Sequence, residues 1–314
     1  MTAREPATPG AWAVSGDTAP AASPAHRTDP AGSAGSEGTV FIPRRFRGPA
    51  TSGNGGFVSG MLAAFLPDTR AVSVTLLVPP PLERPLTVAR GAVGARLFDG
   101  DDMVAEAVGA EIDVGMLDPV SYEDALAAGE RYAGLSIHPF PECFACGTDR
   151  AVSGADAGLR LRPGPVEGRQ GEVAAAWVPE TSLAQQDDEA EFGGNERGGA
   201  TAASDLDDAA FAGSDVPAEV VWAALDCPGG WSVDLVGRPM VLGRMTAQIE
   251  HLPRIGEPHI VVGKALGQER RKSFTESMLF DADGRPLAMA IATWIEVDLS
   301  RVGGAAGREP QVTR

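Results

Sequence analysis

Two stretches decide the reading: Leu97-Phe98-Asp99-Gly100-Asp101-Asp102-Met103-Val104-Ala105-Glu106-Ala107 and Leu279-Phe280-Asp281-Ala282-Asp283-Gly284-Arg285-Pro286-Leu287-Ala288-Met289. Each is a strand ending in Leu-Phe-Asp, a tight turn of acidic residues and glycine, and a new apolar strand. Each then closes alike, Ala110-Glu111-Ile112-Asp113-Val114 against Trp294-Ile295-Glu296-Val297-Asp298. Upstream, Pro81-Leu82-Glu83-Arg84-Pro85-Leu86-Thr87-Val88 parallels Pro253-Arg254-Ile255-Gly256-Glu257-Pro258-His259-Ile260. Before these lie alternating strands, Val72 to Val78 and Met245 to Ile249, and before those Asn54-Gly55-Gly56-Phe57 and Pro228-Gly229-Gly230-Trp231. Five features in one order, met twice, indicate an internal duplication. Each half reads as a Gly-Gly-aromatic helix start followed by a meander of strands, an α+β arrangement. Central helices are expected near 56–66 and 229–236.

The flanks carry less. Residues 1–38, rich in Ala, Pro, Gly, Ser and Thr, show no hydrophobic period and lack what is needed to offset their ordering entropy. The same holds for 184–214 and 299–314. The expected organisation is therefore a disordered tail 1–38, a first module 39–115, a linker helix within 116–137, a second module 138–298 with a disordered insertion 184–214, and a disordered tail 299–314.

The net charge is −17 over 314 residues, which opposes nucleic-acid phosphates and anionic lipid surfaces. From Asp187 to Asp215 nine acids meet one base, Arg197, so part of this charge belongs to a solvated segment. Apolar residues make up 43%, enough for a core. Three cysteines are too few and odd in number for a disulfide framework. The N-terminus lacks the apolar stretch of a secretory signal, and no run reaches the length of a membrane span. A cytoplasmic protein with no nucleic-acid or membrane partner is expected.

This order of elements resembles the hotdog fold, in which an antiparallel sheet wraps a central helix. Asn54-Gly55-Gly56-Phe57 looks like the Asn-Gly-Gly-Tyr helix start of acyl-CoA thioesterase-like double hotdogs. The resemblance covers roughly 39–115 and 160–298. It implies two tandem hotdog modules forming a pseudo-dimer within one chain, and an acyl-CoA thioester as ligand. Single hotdogs bury a sheet edge against a twin, which the fusion supplies in cis; further association into a homo-oligomer is left open.

Glycine admits a thioester carbonyl close to the backbone, and a helix N-terminus offers unpaired N–H donors to an oxyanion. By the resemblance, Gly56 or Gly230 would supply that amide; the plainer alternative is that the Gly-Gly pairs only permit tight packing. Asp226-Cys227-Pro228-Gly229-Gly230 also looks like the Asp-Cys-Asp-Pro-Ala-Gly motif of 4-hydroxybenzoyl-CoA thioesterases. There the acid before proline is catalytic; here that position is Cys227, and the acid, Asp226, comes one residue earlier. Asp226 is either the general base or a helix cap. In the first half Asn54 stands in the equivalent region and can orient water or a carbonyl but not act as a base. The expected site holds Asp226 and Asn54 as the catalytic pair, with Gly55, Gly56, Cys227, Gly229 and Gly230 around the substrate.

His138-Pro139-Phe140-Pro141-Glu142-Cys143-Phe144-Ala145-Cys146-Gly147, followed by Gly158-Leu159-Arg160-Leu161, resembles a segment found just before the first strand of many thioesterase-like hotdogs. Its Cys-x-x-Cys spacing suits zinc, with His138 and Cys227 completing His138, Cys143, Cys146 and Cys227, but buried packing of the cysteines is the commoner use. No resident metal or other cofactor is therefore expected. Arg270, Arg271 and Lys272 form the densest basic cluster of the folded part and are candidates for CoA phosphates; a solvated hairpin tip is the alternative. Three activities follow from the resemblance: acyl-CoA thioester hydrolysis, acyl-CoA binding without catalysis, and hydration. The hydratases carry an Asp and a His near the helix start, which neither half has.

Overall fold

The structure, a computed structural model, describes residues 37–113, 115–154, 156–183 and 213–302. The expected disorder of 1–38, 184–214 and 299–314 falls largely outside these residues. At the margins, β1 (Glu37–Phe41) opens the fold and a one-turn helix, Leu299–Val302, closes it.

Alternating and continuous apolar runs give the long strands, and all of them enter one antiparallel sheet. They are β2 (Ala71–Leu76), β3 (Pro85–Arg90), β4 (Gly94–Asp99), β5 (Asp102–Ala110), β6 (Gly164–Pro165), β7 (Glu172–Trp177), β8 (Met240–Ile249), β9 (His259–Glu269), β10 (Lys272–Asp281) and β11 (Pro286–Glu296). The order across the sheet is β1-β3-β4-β5-β2-β8-β11-β10-β9-β7-β6. Read outward from the β2/β8 seam, each side runs through the same sequence of partners. β2, β5, β4, β3 and β1 on one side correspond to β8, β11, β10, β9 and β7 on the other. The seam is an antiparallel ladder from Ala71↔Gln248 to Thr75↔Arg244. Thr246 Oγ1 donates to Ser73 Oγ at 3.0 Å across it.

The two Leu-Phe-Asp segments occupy matching places. One ends β4 before the turn into β5, and the other ends β10 before the turn into β11. Gly100 and Gly284 in those turns have φ of 60° and 81°, the left-handed region that glycine enters without a side-chain clash.

Three helices matter for the site. Helix α1 is Gly55–Ala63, started by Asn54, whose side chain accepts from the Phe57 N–H. Helix α2, Tyr122–Gly129, lies inside the stretch read as a linker helix and is started by Ser121. Helix α3 is Ala218–Trp231. This corrects the expected helix at 229–236. Pro228 and the Gly-Gly pair look like a helix start, yet they form the last turns of α3. The apolar run Val220 to Leu225 is buried on every side and carries the helix through them. Pro228 has no N–H to offer the Ala224 carbonyl; at the next residue the Leu225 carbonyl accepts from Ser277 Oγ at 2.7 Å.

Helix α3 rests on β8–β11 and packs against α1. The main core joins both helices to one sheet face, with Val58, Leu62, Val221, Leu225, Leu279 and Trp294 among its members. A smaller core on the opposite face seats Ala125 and Ala128 of α2 over Ile260, Val262, Met278 and Phe280. β9 and β10 are thus covered on both faces, and their sequences are correspondingly apolar at successive positions.

Candidate functional site

Helices α1 and α3 cross where glycines remove the side chains between them. A Cβ added at Gly56 would lie 2.5 Å from the Trp222 carbonyl oxygen, and one at Gly60 2.5 Å from Glu219 Cα. This approach brings the start of α1 onto Asp226, in the third turn of α3. Asp226 Oδ2 accepts from the Gly56 N–H at 3.0 Å and from Asn54 Nδ2 at 3.2 Å. Its other oxygen, Oδ1, is buried with no hydrogen-bond partner. Burial drives the Asp226 pKa up to about 7, helped by the adjacent Cys143 and opposed by the Gly56 and Asn54 donors. The first amide of α1, on Gly55, has no partner within its helix.

Asn54 has both ends of its amide assigned. Its oxygen caps α1, and Nδ2 serves Asp226 and, at 3.7 Å, Cys143 Sγ. Cys143, Cys146 and Cys227 are buried, unpaired by disulfides, and their sulfurs lie within 4.8 Å of one another. Cys143 and Cys227 Sγ are 3.7 Å apart. Trp231 Nε1 donates to Cys146 Sγ at 3.4 Å. Hydrogen bonds from Cys146 and then Cys227 hold the Cys143 thiol below its ordinary range, while burial raises Cys146 and the partnership with Cys143 raises Cys227.

These groups border a cavity of about 340 Å³. Leu76, Met240, Leu242, Trp294 and Ile295 give it an apolar wall; Asn54, Gly55, Asp226 and the three cysteines give it a polar end. The segment 138–161 shields that end. It is tied to the chain before α1 by Phe144 N–H to the Arg47 carbonyl at 2.7 Å, and by Arg47 reaching Glu142 at 2.7 Å and Asp156 at 2.8 Å.

No family model matches the sequence, and no curated protein does. Solved structures match the fold. A tesB protein of Mycobacterium avium subspecies paratuberculosis superposes with a TM-score of 0.50 at 9% identity, over 83% of this chain and 93% of that one. The chain has the hotdog fold. An acyl-CoA thioesterase II of Mycobacterium marinum matches at a TM-score of 0.44, 9% identity, 83% of this chain and 93% of that one. A hot dog fold protein of unknown function from Alicyclobacillus acidocaldarius gives 0.45, 11%, 83% and 92%.

Within this hotdog sheet the sequence-predicted residues divide. Asn54, Gly55, Asp226 and Cys227 come together on the cavity. Gly56 stands one step behind, its amide committed to Asp226. Asp226 is no cap of its own helix, since it lies well inside α3; it takes an N-terminal amide of α1 instead. Gly229 and Gly230 are at the wrong end of α3 to offer free amides. A Cβ there would meet Thr275 Oγ1 at 2.6 Å and the Trp294 ring at 2.7 Å, so both serve close packing on the sheet.

His138 does not join the cysteines as a ligand. Its Nδ1 accepts from the Phe140 N–H at 2.9 Å, which leaves Nε2 to donate to the Cys146 carbonyl at 3.1 Å. Arg270, Arg271 and Lys272 form the β9–β10 hairpin tip outside the cavity lining. Arg271 Nη2 donates to the Glu296 carbonyl, between the lining residues Ile295 and Val297. Trp231 and Trp294 escaped the sequence reading; the only signal for them was their place after Gly-Gly and in the strand-closing motif.

Proposed function

We propose that this chain is an acyl-CoA thioesterase-like hydrolase, built as two tandem hotdog modules that form a pseudo-dimer within one chain. The mirrored strand order on either side of the β2/β8 seam, with α1 and α3 back to back, supports the tandem arrangement. The observation that carries the hydrolase reading is Asp226. A carboxylate at the end of an apolar cavity, with one oxygen fixed by two donors and the other unpartnered, is equipped to hold and deprotonate a water.

The chemistry then follows from the residues at hand. The apolar wall takes the acyl group. The Gly55 N–H at the positive end of α1 polarises the thioester carbonyl as charge develops on its oxygen. Asp226 Oδ1 takes the proton of the attacking water. The tetrahedral intermediate collapses with loss of the CoA thiolate, which takes up the proton held by Asp226; acid and thiol leave and the carboxylate is restored. Asn54 keeps the carboxylate in position. The basic tip Arg270–Lys272 sits beside the cavity rim through the Arg271–Glu296 contact, where CoA phosphates would be met.

The test is thiol release from a panel of acyl-CoAs of differing chain length and aromatic character. Turnover that vanishes in Asp226→Asn supports the reading. Binding of acyl-CoA without any thiol release by the wild-type chain replaces it with a non-catalytic binding role.

A further inference from the structure

The three cysteines are not used by that chemistry, and their arrangement asks for a separate account. Three buried thiols from two distant segments meet at one point. Two belong to the 138–161 segment and one to α3, beside Asp226. We propose that Cys143, Cys146 and Cys227 bind a zinc ion as a three-thiolate site in the cavity wall, with the fourth position left to a water.

Three observations support this. The first is spacing. Zinc–thiolate bonds of about 2.3 Å at tetrahedral angles place the sulfurs about 3.8 Å apart. The Cys143–Cys227 separation is 3.7 Å, and Cys146 Sγ lies within 4.8 Å of both. Small side-chain rotations close the set.

The second is the turn that carries Cys143 and Cys146. The Gly147 N–H donates to the Cys143 carbonyl at 2.8 Å, and a Cβ at Gly147 would sit 2.5 Å from the Cys143 and Pro141 carbonyl oxygens. Only glycine lets the chain close so tightly after Cys-Phe-Ala-Cys, and that closure turns both sulfurs to one side. The spacing is that of a metal-binding Cys-x-x-Cys turn.

The third is the surroundings of the sulfurs. Asn54 Nδ2 and Trp231 Nε1 both aim N–H donors at them. A neutral thiol is a weak acceptor and repays a buried donor poorly, whereas a metal-bound thiolate is an anion that takes such donors as its outer shell.

Binding releases three protons as one divalent ion enters, so the three-thiolate site carries one net negative charge, which the Asn54 and Trp231 N–H donors face. Three protein ligands and a position open to a cavity is the pattern of a zinc site that keeps an exchangeable ligand. All three cysteines border the cavity that Asp226 shares. Asp226 Oδ1, buried and unpartnered, is the group available to hydrogen-bond a metal-held water.

The test is independent of turnover. The full chain is purified without chelators or a metal-affinity tag, and its zinc content is measured. The metal-free chain is then titrated with cobalt(II). We expect one zinc per chain. Cobalt should give the intense sulfur-to-metal charge-transfer absorption of thiolate ligation and the visible bands of a tetrahedral ion. X-ray absorption on the zinc form should return three sulfurs at about 2.3 Å. Cys146→Ala should weaken cobalt binding by at least about 100-fold. Should that variant fail to fold, the wild-type cobalt titration still decides. A wild-type chain that is folded by circular dichroism, carries no zinc and gives no thiolate-to-cobalt band overturns the proposal.

Discussion

The amide of Gly56 and the carboxylate of Asp226 meet at 3.0 Å, although 170 residues separate them. That contact exists because Gly56 has no side chain. Gly56→Ala would drive a methyl into the Trp222 carbonyl and Asp226 Cβ. The expected cost is about 1–3 kcal/mol of stability from overpacking. Hydrolysis should fall further than stability does, because separating the helices releases Oδ2. Urea unfolding read beside acyl-CoA turnover checks both.

Asp226→Asn keeps the shape and leaves an oxygen to accept from Gly56. Folding should be intact, while thiol release falls by about 10²- to 10⁴-fold, the usual loss on removing a positioned general base. Full activity in this variant would move the base elsewhere.

Arg47 is buried and holds the 138–161 segment to the chain before α1 through Glu142 and Asp156. Its guanidinium is kept charged chiefly by Asp156, against the cost of burial. The partners are half exposed, which discounts each contact. Arg47→Leu should cost about 2 kcal/mol and make the segment cleavable by protease under native conditions.

Acid acts on the fold through opposed groups: the buried His259 and His138 and the ion-paired Asp156 cost stability as they protonate, while Asp226, raised to about 7, favours the fold once pH drops below that value. His259 is buried, with Nδ1 donating to the Glu257 carbonyl and Nε2 accepting from the Arg254 N–H. Burial lowers its pKa, so below about pH 6.5 the unfolded chain takes a proton that the folded one refuses, and stability falls. The Asp156 pKa is lowered mainly by its hydrogen bond to Arg47. Its contribution is present above about pH 4 and is lost as pH drops through the folded value. Unfolding measured from pH 7 to 3 should therefore be read as a difference: His259→Gln should lose less stability than wild type as pH falls through about 6.5, with the two curves running parallel below about pH 5.

The strand architecture was legible because its signals are local. The Leu-Phe-Asp turns, with glycine at a left-handed φ, occur at matching places in the sheet. Asn54 was legible as a start for α1 for the same reason. The second helix was misread because Pro228-Gly229-Gly230 carries strong local signals for a boundary, while the burial that overrides them comes from β8–β11 and α1. The same misreading gave Gly229 and Gly230 a role at a free helix end. Asp226 was singled out by resemblance, but the contacts it makes were not legible, since no sequence pattern reports that Gly56 and Asn54 approach it. His138 was grouped with the cysteines on spacing; the backbone turn that occupies both its nitrogens is a local contact invisible to that spacing.

Helix α1, Gly-Gly-Phe-Val-Ser-Gly-Met-Leu-Ala, contains no acid, while α3 brings Asp226. One helix supplies amide donors and the other the carboxylate, and the exchange is not reciprocated. The proposed site is therefore single. A calorimetric titration of this chain with a non-hydrolysable acyl-CoA analogue should saturate at one equivalent, however closely its two halves match in strand order.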